Sequence, residues 1–337
     1  MTTRRVLFGR ERFTAELDWA VLARLLPGWE VVVSPPDQIA DHLDGVAAIC
    51  PFGARVDRTV LDAGSFGLVH QYGVGLEKVD IARATELGVW VSRVPGDASG
   101  NAESVADLAV LLLLALTRRL DEARAALAGC RWEQRPTGGS LLGATVVIVG
   151  LGATGTAVAR RLAPFGARLL GVRARPELGG PPGVERVTGP DRLLGLLAGA
   201  DAVICCAMFD GGNAGMFGAE AFAAMRPGAL FVNVARGGLV DEAALLAALQ
   251  AGQVGGAGLD VHAREPADPD SALLRHPAVI ATPHVGGLTT VMFRRTGPVF
   301  AANLRRWADG GTPRWAVNAP GFCRWPPPTM KPGNDFP

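Results

Sequence analysis

Apolar residues along this chain fall into short, uninterrupted runs separated by glycine, proline and charge, and the runs alternate between strand-like and helix-like character. The clearest is TVVIV, Thr145 to Val149, whose residues are all β-branched, as suits a strand buried on both faces of a parallel sheet. A glycine-rich turn, GLGATG, follows at once, and from Thr156 the content of Ala, Val and Arg is that of a helix. Earlier in the chain, strands are predicted at Arg5 to Phe8, Glu30 to Val33, Val46 to Cys50, Gly67 to His70 and Val89 to Ser92. A helix is predicted over Ala15 to Leu26, ended by Pro27 and Gly28. The stretch VPGDASGNAE reads as a hinge, after which Asn101 is placed to cap a long helix from Ala102 to Arg119.

From Leu141 strand and helix alternate, with strands at Val146 to Val149, Leu169 to Val172, Ala202 to Cys206, Leu230 to Asn233, Gly255 to Asp260 and Val279 to Thr282. Such alternation predicts an α/β fold with a doubly wound parallel sheet and a ligand at the carboxyl ends of its strands. The amphipathic stretch from Thr289 to Trp307 predicts a helix returning to the first domain. The proline-rich tail after Asn318, APGFCRWPPPTMKPGNDFP, predicts irregular chain.

Composition narrows this picture. With 337 residues there is room for about two domains with cores of their own. A mean hydropathy of +0.23 fits a well-packed globule, and a net charge of +1 creates no global field to recruit nucleic acid or an anionic membrane. The most apolar segment, Val105 to Leu116, is interrupted by Asp107 and is too short to span a bilayer. Cys50, Cys130, Cys205, Cys206 and Cys323 show neither metal-ligand spacing nor a disulfide framework. MTTRRVLFGRERF has no secretory-signal pattern, so a reduced, cytoplasmic setting is expected.

The chemistry starts at GLGATG. In a GxGxxG between strand and helix, Gly150 serves a tight turn, Gly152 a close approach of backbone to pyrophosphate, and Gly155 the packing of helix on strand. The alternative is a glycine-rich turn that binds nothing. A bound dinucleotide also needs its adenosine ribose recognised, ordinarily by Asp or Glu about 20 residues further on. Here Arg173-Ala174-Arg175 stands there instead, and guanidinium groups pair with a 2′-phosphate that a carboxylate would repel. NADP(H) is therefore favoured over NAD(H), the alternative being two solvated surface arginines. Three more polar residues follow predicted strands: Arg236 in NVARGGLVDE, Glu265 in DVHAREP and His284 in TPHVGG. Singly each reads as structural; together, at strand ends of one sheet, they read as a site.

These motifs, with YGVGLEKVD at Tyr72 to Asp80, resemble those of the D-isomer-specific 2-hydroxyacid dehydrogenases, over about Val46 to Asn318. The resemblance implies a Rossmann-type doubly wound parallel sheet domain inserted into a smaller flavodoxin-like α/β substrate domain. The segments would be residues 1–98 and 288–318 for the substrate domain, 99–287 for the dinucleotide-binding domain, and an irregular tail at 319–337. It implies an oxidoreductase moving hydride between NAD(P)H and a small 2-keto or D-2-hydroxy acid of about glyoxylate or hydroxypyruvate size, in a cytoplasmic homodimer formed through the segment Ala102 to Arg119.

By the same resemblance, Arg236 would bind the substrate carboxylate together with the backbone N–H groups of Val74 and Gly75. His284 would be the acid–base catalyst, with Glu265 orienting it and raising its pKa. Gly150, Leu151, Gly152, Ala153, Thr154, Gly155, Arg173, Arg175, Cys206, Val234, Ala235, Asp260 and His284 would contact the cofactor, Asp260 receiving the nicotinamide amide. No metal is implied. Two positions depart from the pattern: Ala207 and Asn213 stand where proline and threonine are usual, which weakens the expectation of cofactor contacts there. With the sequence ending soon after Asn318, the regulatory domain of some phosphoglycerate dehydrogenases is not expected. Two alternatives stay open: a nucleotide-sensing corepressor-like protein, and a phosphite dehydrogenase-like enzyme.

Overall fold

The β-branched and apolar runs form twelve strands in the computed structural model, which describes residues 4–10, 19–132 and 136–325. Residues Met1–Asn101 and Thr289–Pro337 form one compact unit, and Ala102–Leu288 a second.

In the first unit β1 (Arg4–Gly9), β2 (Trp29–Ser34), β3 (Val46–Cys50), β4 (Leu68–Gln71) and β5 (Trp90–Arg93) make an all-parallel sheet in the order β2-β1-β3-β4-β5. The helix Thr290–Ala308 covers one face, burying Phe293, Phe300, Leu304 and Trp307 against Val6, Phe8, Ala48 and Leu68. Thr289 starts that helix by accepting the Met292 N–H on its hydroxyl. The expected helix over Ala15 to Leu26 is seen as Trp19–Leu25, its first residues lying outside those described. VPGDASGNAE, read as a hinge, contains a short helix, Gly96–Ser99, closed by Gly100 at φ +74°. Asn101 is not the cap of the long helix but its first residue, and Ser99 Oγ accepts its N–H.

After Asn318 the described residues are irregular yet held: Asn318 bridges Val89 and Val91, and Arg324 donates to the Leu61 carbonyl. The tail from residue 326 lies outside the described residues.

A polar knot crosses the core of this unit. Asn303 Nδ2 reaches His70 Nε2 at 3.3 Å and Ser92 Oγ at 3.1 Å, while Asn303 Oδ1 accepts the Arg314 N–H. The His70 ring stacks on Phe300 with centroids 4.5 Å apart. Burial pushes the His70 imidazole down to about 4 from its ordinary 6.5. The folded state therefore keeps His70 neutral over a range in which the unfolded chain binds a proton, so stability is full above about pH 6.5 and falls as pH drops toward 4. The loss should reach about 3 kcal/mol. Urea unfolding at pH 7, 5.5 and 4 should show it in the wild type and much less in His70→Phe; parallel curves would remove His70 as the cause.

In the second unit β6 (Thr145–Val149), β7 (Arg168–Val172), β8 (Val184–Thr188), β9 (Ala202–Cys205), β10 (Ala229–Asn233), β11 (Val254–Leu259) and β12 (Val279–Ala281) form a parallel sheet in the order β12-β11-β10-β9-β6-β7-β8. The expected strands match to one residue at either end, and β8 was not anticipated. Period-two alternation splits the core between two faces. Val147, Val149, Val203 and Phe231 meet Leu196, Phe222 and Leu245 on one, and Val146, Ile148, Ile204 and Val232 meet Leu112, Leu113 and Val158 on the other. Among the described residues no helix is long and apolar enough to cross a membrane.

Candidate active site

The register of the second sheet lines up its carboxyl ends. Val149 is opposite Val172 and Cys205, Asn233 opposite Cys205 and Leu259, and Leu259 opposite Ala281. The next residues in each strand, Arg173, Gly150, Cys206, Val234, Asp260 and Thr282, therefore form one row along the sheet edge. The order reverses between β6 and β9, the place where an open α/β sheet holds its ligand.

At that switch point the three glycines have separate geometric causes. Gly150 has φ +98°, and a Cβ on it would lie 2.5 Å from the Ala207 backbone. A Cβ on Gly155 would lie 1.9 Å from the Gly150 carbonyl oxygen, so only glycine lets the helix Ala153–Leu162 start this close to the strand. A Cβ on Gly152 would meet nothing within 4 Å, and no side chain caps the helix it starts. No side chain thus takes the first N–H groups of the helix, from Ala153 and Thr154, and the turn leaves room beside Gly152, an arrangement that fits a pyrophosphate. Leu151 is buried beneath the turn.

Along the row toward β8, Arg173 is half-buried and donates from Nη1 to the Gly179 carbonyl at 2.7 Å, while Arg175 is exposed. Toward β9, Cys206 continues the strand by donating its N–H to the Val149 carbonyl, and burial pushes its thiol far above the ordinary range. The loop beyond departs from the family pattern yet closes on itself. Asn213 donates to the Met208 carbonyl at 2.8 Å and accepts the Asp210 N–H at 3.2 Å.

Past β10, the buried Asn233 shapes the turn that carries Arg236. Its Oδ1 accepts the Ala235 N–H and its Nδ2 donates to the Arg236 carbonyl, both at 3.0 Å. Val234 and Ala235 are buried, and Arg236 is half-buried with Nη1 on the Ala235 carbonyl at 2.7 Å. A Cβ on Gly237 would lie 1.9 Å from the His262 carbonyl carbon, so the Arg236 turn lies directly on the loop after β11.

That loop carries Glu265, whose Oε2 is 2.8 Å from His284 Nδ1. The other carboxylate oxygen accepts the His262 N–H at 3.2 Å. Burial alone would raise the Glu265 pKa, but the hydrogen bond and charge of His284, aided by the His262 N–H, hold it below the ordinary carboxylate range. The side chains of His284 and Glu265 are 46% and 36% exposed, so solvent reaches both.

His284 sits at φ +54°, a conformation uncommon outside glycine. Asp260 over-determines it. The Asp260 carbonyl accepts the His284 N–H at 2.8 Å, Oδ1 accepts Thr282 Oγ1–H and the Val285 N–H, and Oδ2 accepts the Gly286 N–H. The structure thus joins His284 to Glu265 directly and places Arg236 on the adjoining turn. Val74 and Gly75 lie in the first unit, in the loop after β4. Gln71 anchors that loop by donating from Nε2 to the carbonyls of Phe52 and Gly75 at 2.9 and 2.8 Å. Sequence reasoning missed Asn233, Gln71, Thr282 and His262; the side chains of Asn233, Gln71 and His262 act on backbone groups and that of Thr282 on the Asp260 carboxylate, and only polar residues at the ends of apolar strands signal them.

Taken together, the sheet, its switch point and the glycine turn define a Rossmann-type dinucleotide-binding fold. Residues 110–286 match the family described as "D-isomer specific 2-hydroxyacid dehydrogenase, NAD binding domain". The chain is 39% identical over 270 residues to the D-3-phosphoglycerate dehydrogenase of Mycobacterium leprae, covering 79% of this chain and 50% of that protein. It spans about half the length of the curated relatives it matches.

Among solved structures it resembles the NADPH-dependent glyoxylate/hydroxypyruvate reductase of Sinorhizobium meliloti in complex with NADP and malonate, with a TM-score of 0.80, 31% identity and coverage of 96% of this chain and 100% of that one. It also resembles a glyoxylate reductase from Paecilomyes thermophila, with a TM-score of 0.79, 27% identity and coverage of 94% and 99%. The chain belongs to the D-isomer specific 2-hydroxyacid dehydrogenase family.

Proposed function

We propose that this chain is an oxidoreductase that interconverts a small 2-keto acid and the corresponding D-2-hydroxy acid, using NADP(H) in preference to NAD(H). The observation that carries the reading is the 2.8 Å Glu265–His284 contact, with the Arg236 turn packed on the same loop. When bound, the nicotinamide supplies or accepts the hydride. Arg236 offers a planar fork suited to a carboxylate, and the N–H groups of Val74 and Gly75 are assigned to the same group. His284 gives a proton to the substrate oxygen in reduction and takes one in oxidation. Glu265, held ionised, fixes the ring's orientation through its contact with Nδ1.

The helix N–H groups at Ala153 and Thr154 are assigned to the pyrophosphate, Arg173 and Arg175 to the adenosine end, and Cys206, Val234 and Ala235 to the walls between. Asp260 Oδ1 already takes two donors and Oδ2 one, which leaves Oδ2 capacity for the nicotinamide amide. Oxidation of NADPH by a panel of 2-keto acids including glyoxylate and hydroxypyruvate tests the reading. Tight NADPH binding with no turnover on any of them would favour a nucleotide sensor, and reduction of NADP with phosphite alone would favour the inorganic donor.

The preference for NADP(H) rests on two arginines and no acid at the end of β7. Arg173→Asp combined with Arg175→Ala is expected to lower kcat/KM for NADPH about tenfold to a hundredfold, the scale of one or two charge-assisted hydrogen bonds, with that for NADH little changed. Equal efficiency with both cofactors in the wild type would make the arginines bystanders. A homodimer is supported by the helix Leu120–Ala128, which buries none of its residues, and by Leu111, Leu127, Trp132 and Leu142, all more than half exposed. Sedimentation velocity distinguishes it from a monomer. All five cysteines are free thiols, which suits a reducing cytoplasm.

A further inference from the structure

A second histidine lies beside the acid–base pair, and the reaction described above does not use it. His262 follows β11, is 8% exposed, and touches the supports of both partners. Its main-chain N–H donates to Glu265 Oε1 at 3.2 Å. Its ring Nε2 is 3.0 Å from the carbonyl oxygen of Thr282, two residues before His284. A carbonyl only accepts, so in this contact Nε2 is the donor, which leaves Nδ1 as the other ring nitrogen. That Nδ1 is buried and makes no hydrogen bond among the described residues.

An apolar ring of similar size would fill this space without leaving a buried nitrogen unpaired, which is a standing cost of the histidine. What histidine adds over such a ring is one donor, directed at the Thr282 carbonyl. Thr282 is also the residue whose hydroxyl Asp260 holds at 2.6 Å, and the chain from it passes through Pro283 into the left-handed conformation of His284.

We propose that His262 is a positioning residue for the acid–base pair, tying the loop that carries Glu265 to the segment that carries His284. The two side chains are thereby set in register before substrate arrives. The inference rests on the hydride-transfer reading, which gives the pair its task, but its structural half is measurable without turnover.

His262→Phe keeps the ring and removes the donor; His262→Gln restores an N–H near the position of Nε2. With the phenylalanine variant kcat should fall about tenfold to a hundredfold, the cost of misplacing reacting groups by up to an ångström, while KM for keto acid and cofactor changes less than about twofold. The glutamine variant should recover most of kcat. Amide hydrogen exchange at Val285 and Gly286 should quicken in His262→Phe and return toward the wild-type rate in His262→Gln, with the β6 amides of Val146 to Ile148 unchanged in both.

Wild-type kcat and exchange in His262→Phe would overturn the proposal. So would equal losses in both variants accompanied by faster exchange in β6, which would make His262 an ordinary core residue. A wild-type protein that turns over no 2-keto acid sinks the hydride-transfer reading instead, and the exchange comparison still decides whether His262 holds the His284 segment.

Discussion

His284→Ala is expected to lower kcat by about a hundredfold to ten-thousandfold, the usual contribution of a positioned general acid–base group. Cofactor affinity should stay within a few-fold, because the groups assigned to the pyrophosphate and adenosine end lie elsewhere, at Ala153 and Thr154 in the helix after β6 and at Arg173 and Arg175 after β7. The backbone complicates a simple deletion. His284 has φ +54°, where alanine is strained but asparagine is tolerated. His284→Asn is therefore the companion variant: it keeps the local fold and offers an amide in place of a titrating ring.

Both variants should lose turnover to a similar extent, with unfolding midpoints close to wild type for asparagine. Glu265→Gln should show a smaller loss, since the ring keeps a hydrogen-bond partner but loses the charge of the carboxylate beside it. Steady-state kinetics with the best keto acid of the panel, and NADPH titration by fluorescence, read both effects. Ordinary activity in His284→Asn would take His284 out of the chemistry.

Much of this arrangement is legible in the amino-acid sequence, for identifiable reasons. Strands buried on both faces announce themselves as short unbroken apolar runs, β-branched throughout in β6, which is why β6, β9 and β10 match to a residue. β8, VERVT, lies at the sheet edge with Glu185 and Arg186 exposed, so no apolar run marks it. The GxGxxG glycines were legible because each absence of a side chain has a distinct steric cause, later visible as 2.5 Å at Gly150, 1.9 Å at Gly155 and open space at Gly152. Motif resemblance named Arg236, Glu265 and His284 but could not supply what holds them. Asn233 and Gln71 act on main-chain atoms of their own or distant loops and Thr282 on the Asp260 carboxylate, and those pairings leave no periodic trace. Asp260 is the instructive case: expected to receive a cofactor amide, it also organises residues 282–286, a task its motif does not reveal.

Gly237→Ala should be nearly as damaging as loss of the histidine itself, although it removes no functional group. The first glycine of ARGG is not there for backbone freedom, since its φ is not positive. It is there for space: an added Cβ would fall 1.9 Å from the His262 carbonyl carbon, 2.0 Å from its oxygen and 2.4 Å from the Ala263 nitrogen. These are backbone atoms, and rotation of a side chain cannot relieve the clash. Two loops must separate, the one carrying Arg236 and the one carrying Glu265, and a displacement near an ångström costs about a hundredfold in rate. Destabilisation of about 1–3 kcal/mol from overpacking should accompany it.

The adjacent glycine provides the internal comparison. A Cβ on Gly238 would meet the Phe209 ring at 3.0 Å, a side chain able to give by the few tenths of an ångström required. Gly238→Ala should therefore keep most of kcat/KM and shift the melting temperature little. The contrast between neighbours isolates loop contact from helix propensity and from general tolerance of alanine in this turn. Similar kinetics for the two variants would show that the Arg236 and Glu265 loops need not touch for the reaction to proceed.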